Sequence, residues 1–69
     1  MEAVTVKPRA KAVAELETRG YQFKRHGANH DIYYNPEIGC IIPLKRHDFD
    51  ESDLRYILNE IKTNQRSRG

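Results

Sequence analysis

Between Gly20 and Pro43 the chain is cut by breakers at Gly20, at Gly27-Ala28-Asn29 and at Asn35-Pro36-Glu37 with Gly39. The pieces left between them are too short for helices and suit strands. Tyr21-Gln22-Phe23-Lys24-Arg25-His26 follows period two, aromatic on one face and polar on the other, which predicts a half-buried strand. His30-Asp31-Ile32-Tyr33-Tyr34, rich in aromatic and branched residues, is a second strand, and Cys40-Ile41-Ile42 starts a third. Pro43 has no N–H to give a ladder, so it marks the end of that strand or an edge position.

Helical periodicity appears only outside this region. Pro8 suits a first helical turn, Ala10, Val13, Ala14 and Leu16 follow on one side, and Gly20 stops the helix, predicting a span of about Pro8 to Arg19. Asp48-Phe49-Asp50-Glu51-Ser52-Asp53 is a helix start: Asp50 or Ser52 can cap free N–H groups, and Phe49 can staple onto Leu54. Leu54, Ile57, Leu58 and Ile61 then repeat at i, i+3, i+4 and i+7. The order is α-β-β-β-α, an α+β fold in which two apolar helix faces cover a three-stranded antiparallel sheet. That is the layout of double-stranded-RNA-binding domains.

With 69 residues the chain makes one domain, residues 1–69, with an ordered core over about residues 7–63 and a basic tail at 64–69 expected to fray. One cysteine, Cys40, excludes an intrachain disulfide and a cysteine-based zinc site, which fits a reducing, cytoplasmic setting. The segment Met1-Glu2-Ala3-Val4-Thr5-Val6 lacks the pattern of a leader, and no stretch has the apolar length of a membrane span. The net charge of +2 is unevenly spread. From Lys7 to His26 the basic residues Lys7, Arg9, Lys11, Arg19, Lys24 and Arg25 are opposed only by Glu15 and Glu17, whereas most acids lie between Asp31 and Glu60. Such asymmetry allows a positive surface on the first helix and strand that favours a phosphate-bearing partner; a solvated helix face gives the same pattern.

The chemistry concentrates at Arg25-His26-Gly27-Ala28-Asn29-His30-Asp31-Ile32-Tyr33, where His30 stands behind a glycine turn and ahead of an apolar strand. Imidazole takes and gives a proton near neutrality. Taken alone, a histidine at such a junction is more often a surface or hydrogen-bonded structural residue. His26 and His30 are four apart but flank a turn and have no thiolate partners, so metal binding is not expected.

A further set of residues is ordered along this frame. It consists of Gly20 followed by an aromatic residue, Phe23 and Arg25, the turn Gly27-Ala28-Asn29-His30 with Ile32 and Tyr33, Pro43, Arg46-His47, and Leu54-Arg55-Tyr56-Ile57-Leu58. Together, over roughly Lys11 to Lys62, these resemble the HicA toxins of HicA/HicB toxin–antitoxin modules. The resemblance implies a small mRNA interferase with a double-stranded-RNA-binding-like fold, one essential histidine in this turn, RNA as substrate, and a HicB-like antitoxin as protein partner. Carried over, that histidine is His30. Many members have glycine where this chain has Ala28, so a left-handed backbone there would be strained. No cofactor, metal or membrane is implied.

Such a nuclease works without a metal if a base takes the 2′-OH proton, cations stabilise the phosphorane-like charge, and an acid protonates the leaving 5′ oxygen. In this chain His30 is the expected base or acid, Lys24, Arg25 and Arg46 the expected phosphate ligands, and His47 or a water the expected second proton carrier.

Overall fold

The computed structural model describes residues 7–68, with side chains described through residue 65. The Met1–Val6 stretch read for a leader and the side chains of Arg66 and Arg68 lie outside the described residues. The order is α1 (Pro8–Thr18), β1 (Gln22–His26), β2 (His30–Asn35), β3 (Cys40–Lys45) and α2 (Glu51–Arg68), the expected α-β-β-β-α arrangement. The strands form one antiparallel sheet in the order β1-β2-β3.

Both ends of the α1–β1 junction follow from local chemistry. Pro8 lies in the first turn of α1. After Thr18 the chain closes a Schellman turn: Gly20 N–H donates to Glu17 O (3.1 Å), Tyr21 N–H donates to Leu16 O (2.8 Å), and Gly20 takes φ +93°. The buried side of α1 is Ala12 and Leu16 with Val13 partly covered. Ala10 and Ala14, expected there, are exposed. The helix meets the core along the line Arg9–Ala12–Leu16, and alanine loses little by facing water.

In α2, Asp50 caps the N-terminus. Its Oδ1 accepts from Ser52 N–H (3.0 Å), Ser52 Oγ–H (2.8 Å) and Asp53 N–H (3.2 Å), while Asp50 N–H donates to Asp53 Oδ2 (3.0 Å). The Ser52 hydroxyl, ahead of the backbone donors, holds the Asp50 carboxyl below its ordinary value. Leu54, Ile57 and Ile61 are buried, but Leu58 is 39% exposed, one step around the helix from the stripe that meets the core. α2 runs to Arg68, and towards its end Asn64 Nδ2 donates to the Tyr21 hydroxyl (3.0 Å) and Arg19 Nη1 donates to Gln65 Oε1 (3.2 Å).

Strand alternation decides which sheet face the helices cover. Asp31, Tyr33 and Asn35 of β2 and Ile42 and Leu44 of β3 face the helices and are buried, so Ile32, Tyr34, Ile41 and Pro43 face the open side. β1 is exposed along its whole length, not half-buried as its aromatic alternation predicts. It is an edge strand, and the buried aromatic, Tyr21, precedes it. Between Phe23 and Arg25 the register slips past Lys24, a bulge that twists this edge. Pro43 lies within β3, opposite Ile32, on the other edge of the sheet.

Candidate active site

The β1–β2 hairpin carries the candidate site, and its mouth is organised by Asp31. The Asp31 side chain is only 11% exposed. Its Oδ1 is 2.7 Å from His26 Nδ1, and its Oδ2 accepts from Arg9 Nη2 of α1. Arg46 Nε is 3.4 Å from Oδ1. An ionised carboxylate only accepts, so His26 Nδ1 carries the shared proton. The His26 hydrogen bond foremost, with the Arg46 and Arg9 charges, outweighs burial and holds Asp31 below its ordinary value. Arg9 Nε also donates to Lys45 O (3.0 Å), tying α1 to the end of β3.

The same cluster grips the turn before His30. Arg46 Nη2 donates to Gly27 O (2.5 Å) and, at 3.5 Å, reaches Ala28 O, while Arg46 N–H donates to Asn29 O (3.2 Å). Gly27 N–H donates to His30 O (2.6 Å), closing the hairpin. A Cβ on Gly27 would lie 2.9 Å from His30 O, so the turn as built excludes a side chain there. Ala28 avoids the left-handed region; among the described residues Asp48 is the non-glycine residue with positive φ.

His30 is the neighbour of Asp31 in the strand and so projects to the opposite, open side. Its imidazole is exposed and has no hydrogen bond or ion pair among the described residues. It borders a cleft of about 100 Å3 with Pro43, Lys45, Phe49, Asp53 and Tyr56, where the chain leaving β3 meets the first turns of α2. Lys45 Nζ lies 3.4 Å from Asp53 Oδ2. A larger hollow of about 510 Å3 between α1 and α2 is lined by Glu15, Arg19, Leu58, Ile61, Lys62 and Gln65, without a histidine.

The expected site residues divide. Lys24 lies with its ammonium 4.7 Å from the centre of the Tyr34 ring, and Arg25 pairs with Ile32, which places both on the open face with His30. Arg46 goes elsewhere, its guanidinium turned to the hairpin carbonyls and to Asp31. His47 is exposed in the loop after β3 and does not line the His30 cleft. His26 faces the helix side through Asp31 and stacks obliquely on Phe23, with ring centroids 4.8 Å apart.

Asp31, Arg9, Lys45 and Tyr56 were not anticipated as site residues. Asp31 had a signal: with Tyr33 and Asn35 it lines one face of an apolar strand, where a carboxylate must find partners. Arg9, far away in sequence, offered none. No family model, curated protein or solved structure matches this chain. Among the described residues no helix is long and apolar enough to cross a membrane.

Proposed function

We propose that this protein is an endoribonuclease of the HicA kind, an mRNA interferase and toxin of a toxin–antitoxin module, acting in the cytoplasm and neutralised by a HicB-like antitoxin. The observation that carries the reading is His30: an exposed, unpartnered imidazole on a turn whose three carbonyls are held by one arginine. A base fixed in position and open to solvent is what a diffusing polyanion needs to meet.

In this reading His30 takes the proton of a 2′-OH, the freed oxygen attacks the adjacent phosphorus, and the P–O5′ bond breaks. The leaving oxygen takes a proton from a water, giving a 2′,3′-cyclic phosphate and a 5′-hydroxyl, and the proton held by His30 returns to solvent. Lys24 and Arg25, on the same face, supply positive charge for the pentacoordinate phosphorus. The polypeptide supplies the base and the charge, and no step is assigned to a metal.

The test is expression of wild type and His30→Ala side by side, scoring growth and RNA integrity, with purified protein assayed in excess EDTA. Wild-type chain should arrest growth and shorten RNA, and His30→Ala should do neither. Cleavage by His30→Ala at the wild-type rate would remove His30 from the mechanism. RNA shifted but never shortened by the wild-type chain would make it a binding module of the same fold.

A further inference from the structure

Tyr56 is the more exposed of the two large hydrophobic residues that α2 presents to solvent, at 58% against 39% for Leu58, although it stands between the buried Leu54 and Ile57. The fold does not use its ring. It stands instead on the His30 cleft with Pro43 and Phe49, so three rings and an imidazole line one small hollow. The polar members are Lys45 and Asp53. Asp53 Oδ2 is occupied by Lys45 Nζ and by the Asp50 N–H, leaving Oδ1 without a partner among the described residues. The hollow thus offers an acceptor, a donor and apolar ring faces.

Its size selects the occupant. About 100 Å3 falls well short of the roughly 300–1,000 Å3 of pockets that enclose a whole ligand, so one ring enters and the rest of the molecule stays outside. A ring with hydrogen-bonding edges, attached to a chain that the cationic face of Lys24 and Arg25 attracts, is a nucleobase on a phosphate backbone.

The geometry points to a subsite for one unpaired nucleobase in this cleft, stacked on Tyr56, with Lys45 and Asp53 Oδ1 facing its edge. The assignment rests on the RNA reading above and adds to it that the strand must be single at His30. A base held in a duplex cannot leave its stack without the cost of unpairing. The nucleotide bound here is next to the scissile phosphate, because His30 forms the rim of the same cleft.

The measurement is fluorescence anisotropy of a short 2′-fluoro oligonucleotide, which lacks the attacking hydroxyl and is not cut, against the full chain. The single strand should bind more tightly than the same strand in a duplex. Tyr56→Phe should bind as wild type, and Tyr56→Leu, which keeps apolar area without a π face, should weaken binding roughly 5- to 150-fold, the range for one stacked base. Circular dichroism establishes that the leucine variant is folded, as the exposure of Tyr56 predicts. Wild-type affinity in Tyr56→Leu, or equal affinity for duplex and single strand, overturns the subsite and leaves the RNA reading standing. No binding of either form by the wild-type chain overturns the RNA reading and the subsite with it.

Discussion

His26 Nδ1 lies 2.7 Å from Asp31 Oδ1, which ties the last residue of β1 to the helix side of the hairpin while His30, one residue before Asp31, points to the open side. Two histidines four apart in sequence therefore do unlike work. His26 shares a buried carboxylate with two arginines and braces the turn from beneath; His30 is left free to meet solvent. Asp31 joins α1, the hairpin and the end of β3 at one point, through Arg9, His26 and Arg46.

Replacing Asp31 with Asn should cost roughly 1–3 kcal/mol, because two guanidinium groups lose a partly buried counter-charge. The folded pKa of Asp31 is depressed from 3.8, so its stabilisation is fully present above that ordinary value and lost as pH falls through the depressed one. Urea unfolding of wild type and Asp31→Asn should differ by a constant amount at neutral pH, and the gap should close below about pH 4. A gap that widens on acidification would contradict the sign.

Gly20 and Gly27 should fail differently when changed to alanine. At Gly20 the left-handed φ of +93° penalises any side chain, and a Cβ would press on Asn35 Nδ2 at 3.3 Å, so stability should fall by roughly 1–2 kcal/mol with activity per folded molecule retained. At Gly27 a Cβ would lie 2.9 Å from His30 O, so the hairpin must shift the backbone that carries His30. Cleavage should drop on the order of 100-fold, more than the stability loss explains. Thermal melts and initial rates on both variants separate the two effects.

Ile41 and Ile42 test the assignment of sheet faces. Ile42 is fully buried and Ile41 is 54% exposed. Ile42→Ala should cost roughly 2–5 kcal/mol, of the same order as the whole stability of so small a domain. Ile41→Ala should stay within about 0.5 kcal/mol of wild type. Chemical denaturation reads both, and a reversed ranking would put the helices on the other face.

Local chemistry wrote most of the frame into the sequence. Gly20 needed a left-handed turn, Asp50 was placed to cap, and Leu54, Ile57 and Ile61 could repeat only as a helix face. Long-range pairing was not legible. Arg9 finds Asp31 and Lys45 only because α1 crosses the end of the sheet, and Ala12 rather than Ala10 is buried because the same crossing fixes the rotation of the helix. The aromatic alternation of β1 misled, since an edge strand with a bulge can expose Phe23 (48%) and leave the core to Tyr21. Residue type and turn position single out His30 as a candidate from sequence; the cleft it shares with Tyr56 depends on the packing of α2 against β3.

The cations expected to hold phosphates should separate in a salt titration. A phosphate contact that is neutralised lowers the slope of log K against log salt by about 0.7 for single strands, whereas a residue that only shapes the site leaves the slope alone. Lys24→Gln and Arg25→Gln remove open-face charge and should each flatten the slope by about that amount. Arg46→Lys keeps the charge but loses the planar fork that serves Gly27 O and Ala28 O, so it should leave the slope unchanged while cleavage falls. Anisotropy titrations over a range of potassium chloride, with rates in parallel, measure both quantities. A flattened slope in Arg46→Gln equal to that of Lys24→Gln would return Arg46 to the phosphate ligands, and an unchanged one would keep it as the clamp of the turn.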